Sequence, residues 1–215
     1  MAITLRTNPN DRLIELGGGA NPIVRPNCDV RQCFDAGGNP TVDFTANFEE
    51  PLPIQTAEFD GVLSRFCIEH ISWRKVRQFV GEVFRILKPG GKAAIVTANT
   101  EAQLKWIQEH KEGWDGRDAF DSCSCVLFGE GDYPENTHKA YFSPDIAFQL
   151  FRDAGFHSIV IQPYGDRATD LLVEATKPIQ TNGQVTEQKA IELVPQQPEA
   201  KPMPQMTREE MFDRH

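Results

Sequence analysis

The chain has 215 residues, of which 40% are hydrophobic, and a net charge of -9 at neutral pH. This length suffices for one domain with a substantial core and a short additional segment, whereas two domains would be cramped. An acidic chain lacks the clustered lysine and arginine that nucleic acids and anionic membranes attract. We therefore expect a small molecule or a protein as the partner.

The sequence also bears on localisation. No apolar run is long enough to span a bilayer, and residues 1–11 lack the layout of a signal peptide. The five cysteines contain no C-x-x-C pair, which argues against a disulfide framework and favours reduced thiols in a soluble, cytoplasmic protein. A zinc site built from Cys123, Cys125 and either His110 or His138 is a weaker alternative because so short a cysteine spacing is unusual.

Strand patterns alternate with helical patterns from residue 12 to about residue 177. The strand candidates are residues 13–16, 28–31, 41–45, 59–64, 92–98, 158–162 and 170–175. This order predicts an α/β fold that is Rossmann-like and doubly wound, with a mainly parallel seven-stranded sheet. The last two candidates are separated by a short turn, which predicts an antiparallel edge strand.

Two helices have clear signals. Apolar residues recur at helical spacing from Val76 to Leu87, Ser72 can cap this helix, and the sequence Lys-Pro-Gly-Gly at residues 88–91 ends it. In the second helix, Ser143 is the predicted cap and a proline follows at the first helical position. Residues 178–215 are rich in Gln, Pro, Glu and Lys, which predicts a disordered tail. A short helix at residues 206–212 is a candidate contact for a protein partner.

The first strand candidate runs into a Gly-Gly-Gly-Ala-Asn-Pro turn at residues 17–22. Glycines that flank one residue let the backbone pass close to a ligand at the carboxyl edge of a parallel sheet. A dinucleotide site requires a third glycine where this chain has Pro22, so a diphosphate ligand is disfavoured. The Glu15 carboxylate favours a cationic group such as a sulfonium. A plain turn between a strand and a helix is the alternative.

Six segments together resemble the class I S-adenosylmethionine-dependent methyltransferases, and within them the small methyltransferase-type-11 group. They are ELGGGANP, NCDVR, TVDFTANFEEPLP, EFDGVLSRFCIEHI, FRILKPGGK and YFSPDIAFQLFRDAGF. The resemblance covers about residues 11–177 and implies a methyltransferase domain over residues 1–177. It implies S-adenosylmethionine as the cofactor and methyl transfer to a small-molecule or sugar-like acceptor.

The resemblance also assigns residues to the cofactor. It implies that the backbone of the glycines Gly17, Gly18 and Gly19 passes beneath the cofactor, while Glu15 orients the loop and favours the positively charged amino-acid end. Asp29 matches the acid that binds both ribose hydroxyls, because a carboxylate can accept two hydrogen bonds from a vicinal diol. Asp35 is the alternative for this role, although its surroundings look like a turn.

Further positions follow from the same resemblance. Asn47 and Phe48 stand where the family contacts adenine, and Asn47 departs from the usual aspartate. Ser64 and Arg65 lie after the fourth strand, where the family meets the methionine moiety and the substrate. His70 is the candidate general base because an imidazole titrates near neutrality, although the Glu69-His70 pair can instead organise the following helix. No Asp/Asn cluster accompanies this strand, so no metal is expected.

Residues 100–142 form a long, aromatic-rich insertion, which we interpret as a substrate lid. A satellite core or a dimer face is the alternative. Few residues precede the first strand, so we expect the amino-terminal covering helix of many relatives to be missing. That absence and Asn47 motivate a second functional hypothesis, a binding or scaffold protein without turnover. A nicotinamide enzyme is disfavoured by Pro22 and by the lack of a Tyr-x-x-x-Lys pair.

Overall fold

A computed structural model describes residue 5 and residues 8–110, 112–114 and 116–179. The predicted Gln- and Pro-rich tail, with its candidate partner-binding helix, lies outside the described residues from residue 180 onward. Within the described part, none of the helices combines the length and the apolar composition needed to cross a bilayer.

Seven strands form one sheet in the order β3-β2-β1-β4-β5-β7-β6. Their bounds are β1 Leu13–Leu16, β2 Asn27–Asp29, β3 Phe44–Thr45, β4 Phe59–Arg65, β5 Leu87–Ala98, β6 His157–Tyr164 and β7 Asp170–Thr176. Strands β3, β2, β1, β4 and β5 pair in parallel, and β7 runs antiparallel between β5 and β6. The predicted Rossmann-like architecture with an antiparallel pair at one edge is confirmed.

The order of the strands fixes where a ligand can enter. From β1 the chain moves outward through β2 and β3, and then it returns to the other side of β1 with β4 and β5. In open α/β sheets, ligands bind outside the carboxyl ends of the strands at such a reversal. The expected site therefore lies beyond the ends of β1, β2 and β4.

The junction between the first helix and β5 is more irregular than predicted. Leu87 follows the helix directly and pairs with Phe59, but the ladder between β4 and β5 then shifts register before Gly61 pairs with Lys92. The Lys-Pro-Gly-Gly sequence occupies this shift and is counted within β5. The sequence predicted the end of a helix and a separate strand here. The structure has an irregularity inside one strand, because the residues before it and after it both pair with β4.

Helices α1 (Val76–Ile86) and α4 (Pro144–Asp153) agree with the predicted pattern. The Ser143 hydroxyl caps α4 by accepting a hydrogen bond from the Ile146 N–H, and Pro144 is the first helical residue. The start of α1 differs from the prediction, because Lys75 is its capping residue and Ser72 contributes its carbonyl, which accepts from the N–H groups of Lys75 and Val76.

The sheet separates two groups of buried side chains. Ile14 and Leu16 of β1 pack in the larger core with α1 and α4, while the alternate side chain, Leu13, packs in a smaller core on the opposite face. Two helices that the sequence did not predict, α2 (Thr100–Glu109) and α3 (Ala119–Phe128), lie in the long insertion after β5. Between residues 17 and 67 the chain has no helix, so loops alone join β1 to β2 and β2 to β3.

Candidate functional site

A cleft of about 510 Å³ opens at the carboxyl ends of β1, β2 and β4. Gly17 and Gly19 line it after β1, Asp29 lines it at the end of β2, and Asn47 and Phe48 line it after β3. This volume is typical of sites for drug-sized ligands. The structure thus brings five of the predicted cofactor-binding residues to one cavity.

The turn after β1 requires glycine for two separate reasons. Gly17 has a φ of 80° and Gly19 a φ of 56°, in the left-handed region that L side chains rarely adopt. A Cβ added at Gly17 would also lie 2.6 Å from both Cβ and Sγ of Cys67. A Cβ at Gly19 would meet nothing within 4 Å. Gly17 therefore provides a close approach to the turn after β4, whereas Gly19 has open space beside it.

Side chains hold this turn, since no helix follows it. Asn27 is fully buried, and its Oδ1 accepts from the Gly18 N–H at 3.0 Å while its Nδ2 donates to the Thr41 carbonyl at 2.9 Å. The Thr41 hydroxyl donates to the Gly19 carbonyl at 2.8 Å. This arrangement explains Pro22, because a third glycine serves to pack a helix against the sheet and here no helix is present. Gly18 contacts Asn27 and does not line the cleft.

Glu15 lies beneath the turn with no exposed surface. Its Oε2 accepts from the N–H groups of Ile23 and Val24 at 2.6 and 2.8 Å, and its Oε1 accepts from Nε and Nη2 of Arg65 at 2.9 and 2.7 Å. Glu15 thus positions the loop, as the resemblance implied. Glu15 does not line the cleft, and Arg65 compensates its charge. The Glu15 carboxylate therefore gives no reason to expect a cationic ligand in the cleft.

The two candidate ribose-binding acids differ in position. Asp29 is 7% exposed and lines the cleft, where its Oδ2 accepts from the Gly19 N–H at 2.9 Å and its Oδ1 from the Val30 N–H at 2.7 Å. Asp35 is exposed, does not line the cleft, and accepts from the N–H groups of Gly37 and Asn39. Asp35 therefore stabilises a surface turn.

The residues after β3 present one apolar and one polar group. Phe48 is 2% exposed and packs against Phe79 with ring centroids 5.5 Å apart. Asn47 is exposed, and its Oδ1 accepts from the Glu49 N–H at 2.9 Å. Both residues line the cleft, so Phe48 packs in the core and also forms part of the cleft wall.

The end of β4 differs from the prediction. Ser64 is fully buried within the strand, and Arg65 turns toward Glu15, so neither residue lines the cleft. Phe66 and Cys67 line it instead. Phe66 has a φ of 49°, a strained conformation for an aromatic residue, and its side chain is 49% exposed. The residues that line the cleft lie two positions later than predicted, because Ser64 and Arg65 are still paired with β5.

Glu69 and His70 form a short 3₁₀ helix, Ile68–His70, with the preceding residue. The Glu69 carboxylate is 1% exposed and accepts from the Thr97 hydroxyl at 3.0 Å, and burial raises the pKa of Glu69 to about 7. Burial, together with repulsion from His138, lowers the pKa of His70 to about 4. His70 lines the cleft, but an imidazole of this pKa is a weak base. Its role as a general base stays a prediction.

The wall opposite the glycine turn comes from the end of the insertion. Tyr133, Glu135 and Lys139 line the cleft, and the Arg31 guanidinium lies 3.5 Å from the centre of the Tyr133 ring. The Lys139 N–H donates to the Glu69 carbonyl at 2.7 Å, which attaches this segment to the 3₁₀ helix.

Comparison with known proteins agrees with this geometry. The model of a family described as a methyltransferase domain matches residues 29–95. The resemblance to the class I S-adenosylmethionine-dependent methyltransferases is confirmed. No match to the chain was found among curated proteins.

Solved structures of methyltransferases share the fold of this chain. A protein from Thermotoga maritima is 18% identical with a TM-score of 0.51, covering 80% of this chain and 84% of its own. One from Methanosarcina mazei is 16% identical with a TM-score of 0.52, covering 79% and 93%. One from Mesorhizobium loti is 15% identical with a TM-score of 0.54, covering 78% and 91%. At these identities the likeness shows the fold.

The methyltransferase family implies S-adenosylmethionine as the cofactor, as predicted from the sequence. The cleft fits such a group. Its open side beside Gly19 accommodates a ligand close to the backbone, and Asp29 presents a carboxylate among apolar and polar walls. Sequence reasoning missed the supports of the glycine turn, above all Asn27 and Thr41. Their only signal was polarity just before, or at the start of, a predicted strand.

Proposed function

We propose that the chain is an S-adenosylmethionine-dependent methyltransferase that acts on a small-molecule or sugar-like acceptor. The observation that carries this proposal is the cleft in which the Gly17–Gly19 backbone and the Asp29 carboxylate face the same space beyond the reversal of the sheet. Its volume of about 510 Å³ supports a nucleoside-sized ligand with room for an acceptor.

The residues present can hold the cofactor by its separate parts. Oδ2 of Asp29 accepts from the Gly19 N–H, which leaves a second acceptor position on this oxygen for a ribose hydroxyl, while Oδ1 accepts from the N–H groups of Val30 at 2.7 Å and Arg31 at 3.5 Å. Phe48 and Asn47 offer an apolar surface and an amide for adenine. The backbone at Gly17 and Gly19 approaches the amino-acid end. When bound, the cofactor supplies a methyl group already activated on a sulfonium.

Because the donor is activated, the chain mainly has to orient the acceptor and exclude water. We assign the exclusion of water to the insertion at residues 100–142, acting as a lid. The support is that Tyr133 and Lys139 of this insertion line the cleft and that Arg31 stacks on Tyr133 across its mouth. These contacts favour the lid over a satellite core or a dimer face.

The charged residues that line the cleft indicate what kind of acceptor it would bind. Arg31 and Lys139 lie on the same cleft as Glu49 and Glu135, so the wall carries both signs of charge. A polar, hydroxylated molecule of modest size suits such a wall, whereas a nucleic acid requires clustered positive charge. All five cysteines are free, which supports the proposal of a reducing, cytoplasmic environment.

The experiment is a search for transfer of a labelled methyl group from S-adenosylmethionine into a cell extract, followed by separation into metabolite, lipid, protein and nucleic acid fractions. We expect label in the metabolite fraction, loss of label with Asp29→Ala, and retention with Asp35→Ala as the matched surface control. Label in no fraction, from a protein that still binds the cofactor, would support the scaffold hypothesis instead. Thermal stabilisation by NAD alone would reject the cofactor assignment.

A further inference from the structure

Three side chains capable of binding a metal converge beside the cleft, which one of them, His70, lines. Glu69, His70 and His138 each offer a ligand atom, and these atoms lie within 4.8 Å of one another. In the described part of the chain no other group of three such residues was found. Glu69 and His70 belong to the 3₁₀ helix after β4, whereas His138 comes from the distant insertion.

One of these groups has a buried nitrogen without a partner, and a second is a buried carboxylate without a counter-charge. Nδ1 of His70 is buried and has no hydrogen-bond partner. The Glu69 carboxylate is 1% exposed and takes part in none of the ion pairs found among the described residues. Its hydrogen bonds come from uncharged groups, namely the Thr97 hydroxyl at 3.0 Å and the backbone of Glu69 itself and of Ala98. Buried polar atoms in proteins normally have partners, so an unpaired nitrogen beside a buried carboxylate indicates a missing one.

The backbone holds the third group in place. The N–H groups of Lys139 and Ala140 donate to the Glu69 carbonyl at 2.7 and 3.2 Å. These bonds fix the residues after His138 to the 3₁₀ helix, and the rings of His138 and His70 lie 5.0 Å apart between centroids. The cluster is thus assembled by the fold and does not depend on the chance orientation of surface side chains.

We propose that Glu69, His70 and His138 bind a divalent metal ion of the zinc class at the wall of the cleft. Two imidazoles with one carboxylate suit zinc and similar transition metals, whereas magnesium and calcium prefer oxygen ligands throughout. Three protein ligands leave a fourth position open. Because His70 lines the cleft, the ion would adjoin the space proposed for the acceptor, and this last step alone rests on the proposed function.

The distances require an adjustment. Two ligand atoms that each lie about 2.1 Å from a tetrahedral zinc are about 3.4 Å apart, so a pair separated by the full 4.8 Å must approach by roughly 1.4 Å. His138 is half-buried, which allows its ring to turn by this amount. The cysteine alternative lacks comparable support, because the Cys125 thiol donates to Glu130 at 3.1 Å.

The test is binding of Zn²⁺ to the tag-free full chain after treatment with a chelator, measured by calorimetry without cofactor or acceptor. Co²⁺ serves as a second probe because its visible absorption reports on its ligands. We expect one ion per chain, and we expect Glu69→Gln, His70→Asn and His138→Asn each to weaken the affinity by at least about tenfold. His110→Gln and a Cys123→Ser/Cys125→Ser double variant are the controls and should bind as the unmodified chain does.

Circular dichroism on each variant verifies that it is folded, and His138→Asn, in the insertion, is the variant least coupled to the core. Binding of less than one ion per chain would overturn the proposal. Undiminished binding by a folded His138→Asn variant, or loss of binding in the cysteine variant, would do so as well. A failure of methyl transfer would leave these results unaffected, so the two proposals can fail independently.

Discussion

Replacing Arg65 by methionine tests whether a buried ion pair supports the glycine turn. Nη2 of Arg65 lies 2.7 Å from Oε1 of Glu15, and the two side chains are 25% and 0% exposed. Arg65 also donates to the Asn21 carbonyl, within the turn itself. Arg65→Met leaves the Glu15 carboxylate buried without a counter-charge, and it removes one link between β4 and the loop.

The structure sets the size of the effect. Removing one partner of a fully buried ion pair costs about 3–5 kcal/mol because the remaining charge stays desolvated. Here the N–H groups of Ile23 and Val24 still donate to Glu15, and the partial exposure of Arg65 lets water approach. We therefore expect Arg65→Met to lower the free energy of unfolding by about 2–3 kcal/mol. Glu15→Gln combined with Arg65→Met should cost less than the sum of the single changes.

The assay is urea unfolding followed by circular dichroism. Arg117→Met is the matched control, because Arg117 pairs with Glu130 at 2.8 Å on the surface, where the side chains are 42% and 51% exposed. Its expected cost is about 0–1 kcal/mol. Equal losses for Arg65→Met and Arg117→Met, together with additive effects in the Glu15 and Arg65 double variant, would refute the assigned role of the pair.

Two further changes test the turn and the fold. Gly17→Ala should lower both the free energy of unfolding and the cofactor affinity more than Gly19→Ala does. Both changes incur a left-handed backbone cost of about 1–2 kcal/mol, but only the Cβ at residue 17 clashes with Cys67. Equal losses for the two variants in urea unfolding and in calorimetry would contradict this expectation. Ser143→Ala should destabilise the chain by about 1 kcal/mol through loss of the α4 cap. Unfolding curves that coincide with those of the unmodified chain would exclude that contribution.

Local sequence patterns predicted the helices and strands that have regular apolar spacing, capping signals or continuous apolar runs. The apolar spacing from Val76 to Ile86 and the signals around Ser143 and Pro144 determine α1 and α4, and continuous apolar runs gave β1, β4 and most of β5. Helices α2 and α3 were missed, because only one residue in each is buried and the packing that stabilises them is not a periodic feature of the sequence.

The sequence predicted those site residues whose place follows from the end of a single strand and needs no distant partner. Asp29, Gly17 and Gly19 reach the cleft because they lie at, or just after, the ends of short strands. The roles of Glu15 and Arg65 were not predictable, because they depend on a contact between residues 50 positions apart. The approach of His138 to His70 depends in the same way on how the insertion folds back. Such pairings are properties of the tertiary structure, and single-sequence patterns carry no signal for them.

Calorimetric titration of the chain with S-adenosylhomocysteine, the demethylated cofactor, tests the assigned cofactor site most directly. We expect saturable binding at one site. Asp29→Ala should weaken this binding at least about tenfold, because charge-assisted hydrogen bonds contribute about 1.5–3 kcal/mol, and Asp35→Ala should leave it unchanged. No binding to the unmodified chain, or an Asp29→Ala variant that binds equally well, would contradict the assigned site.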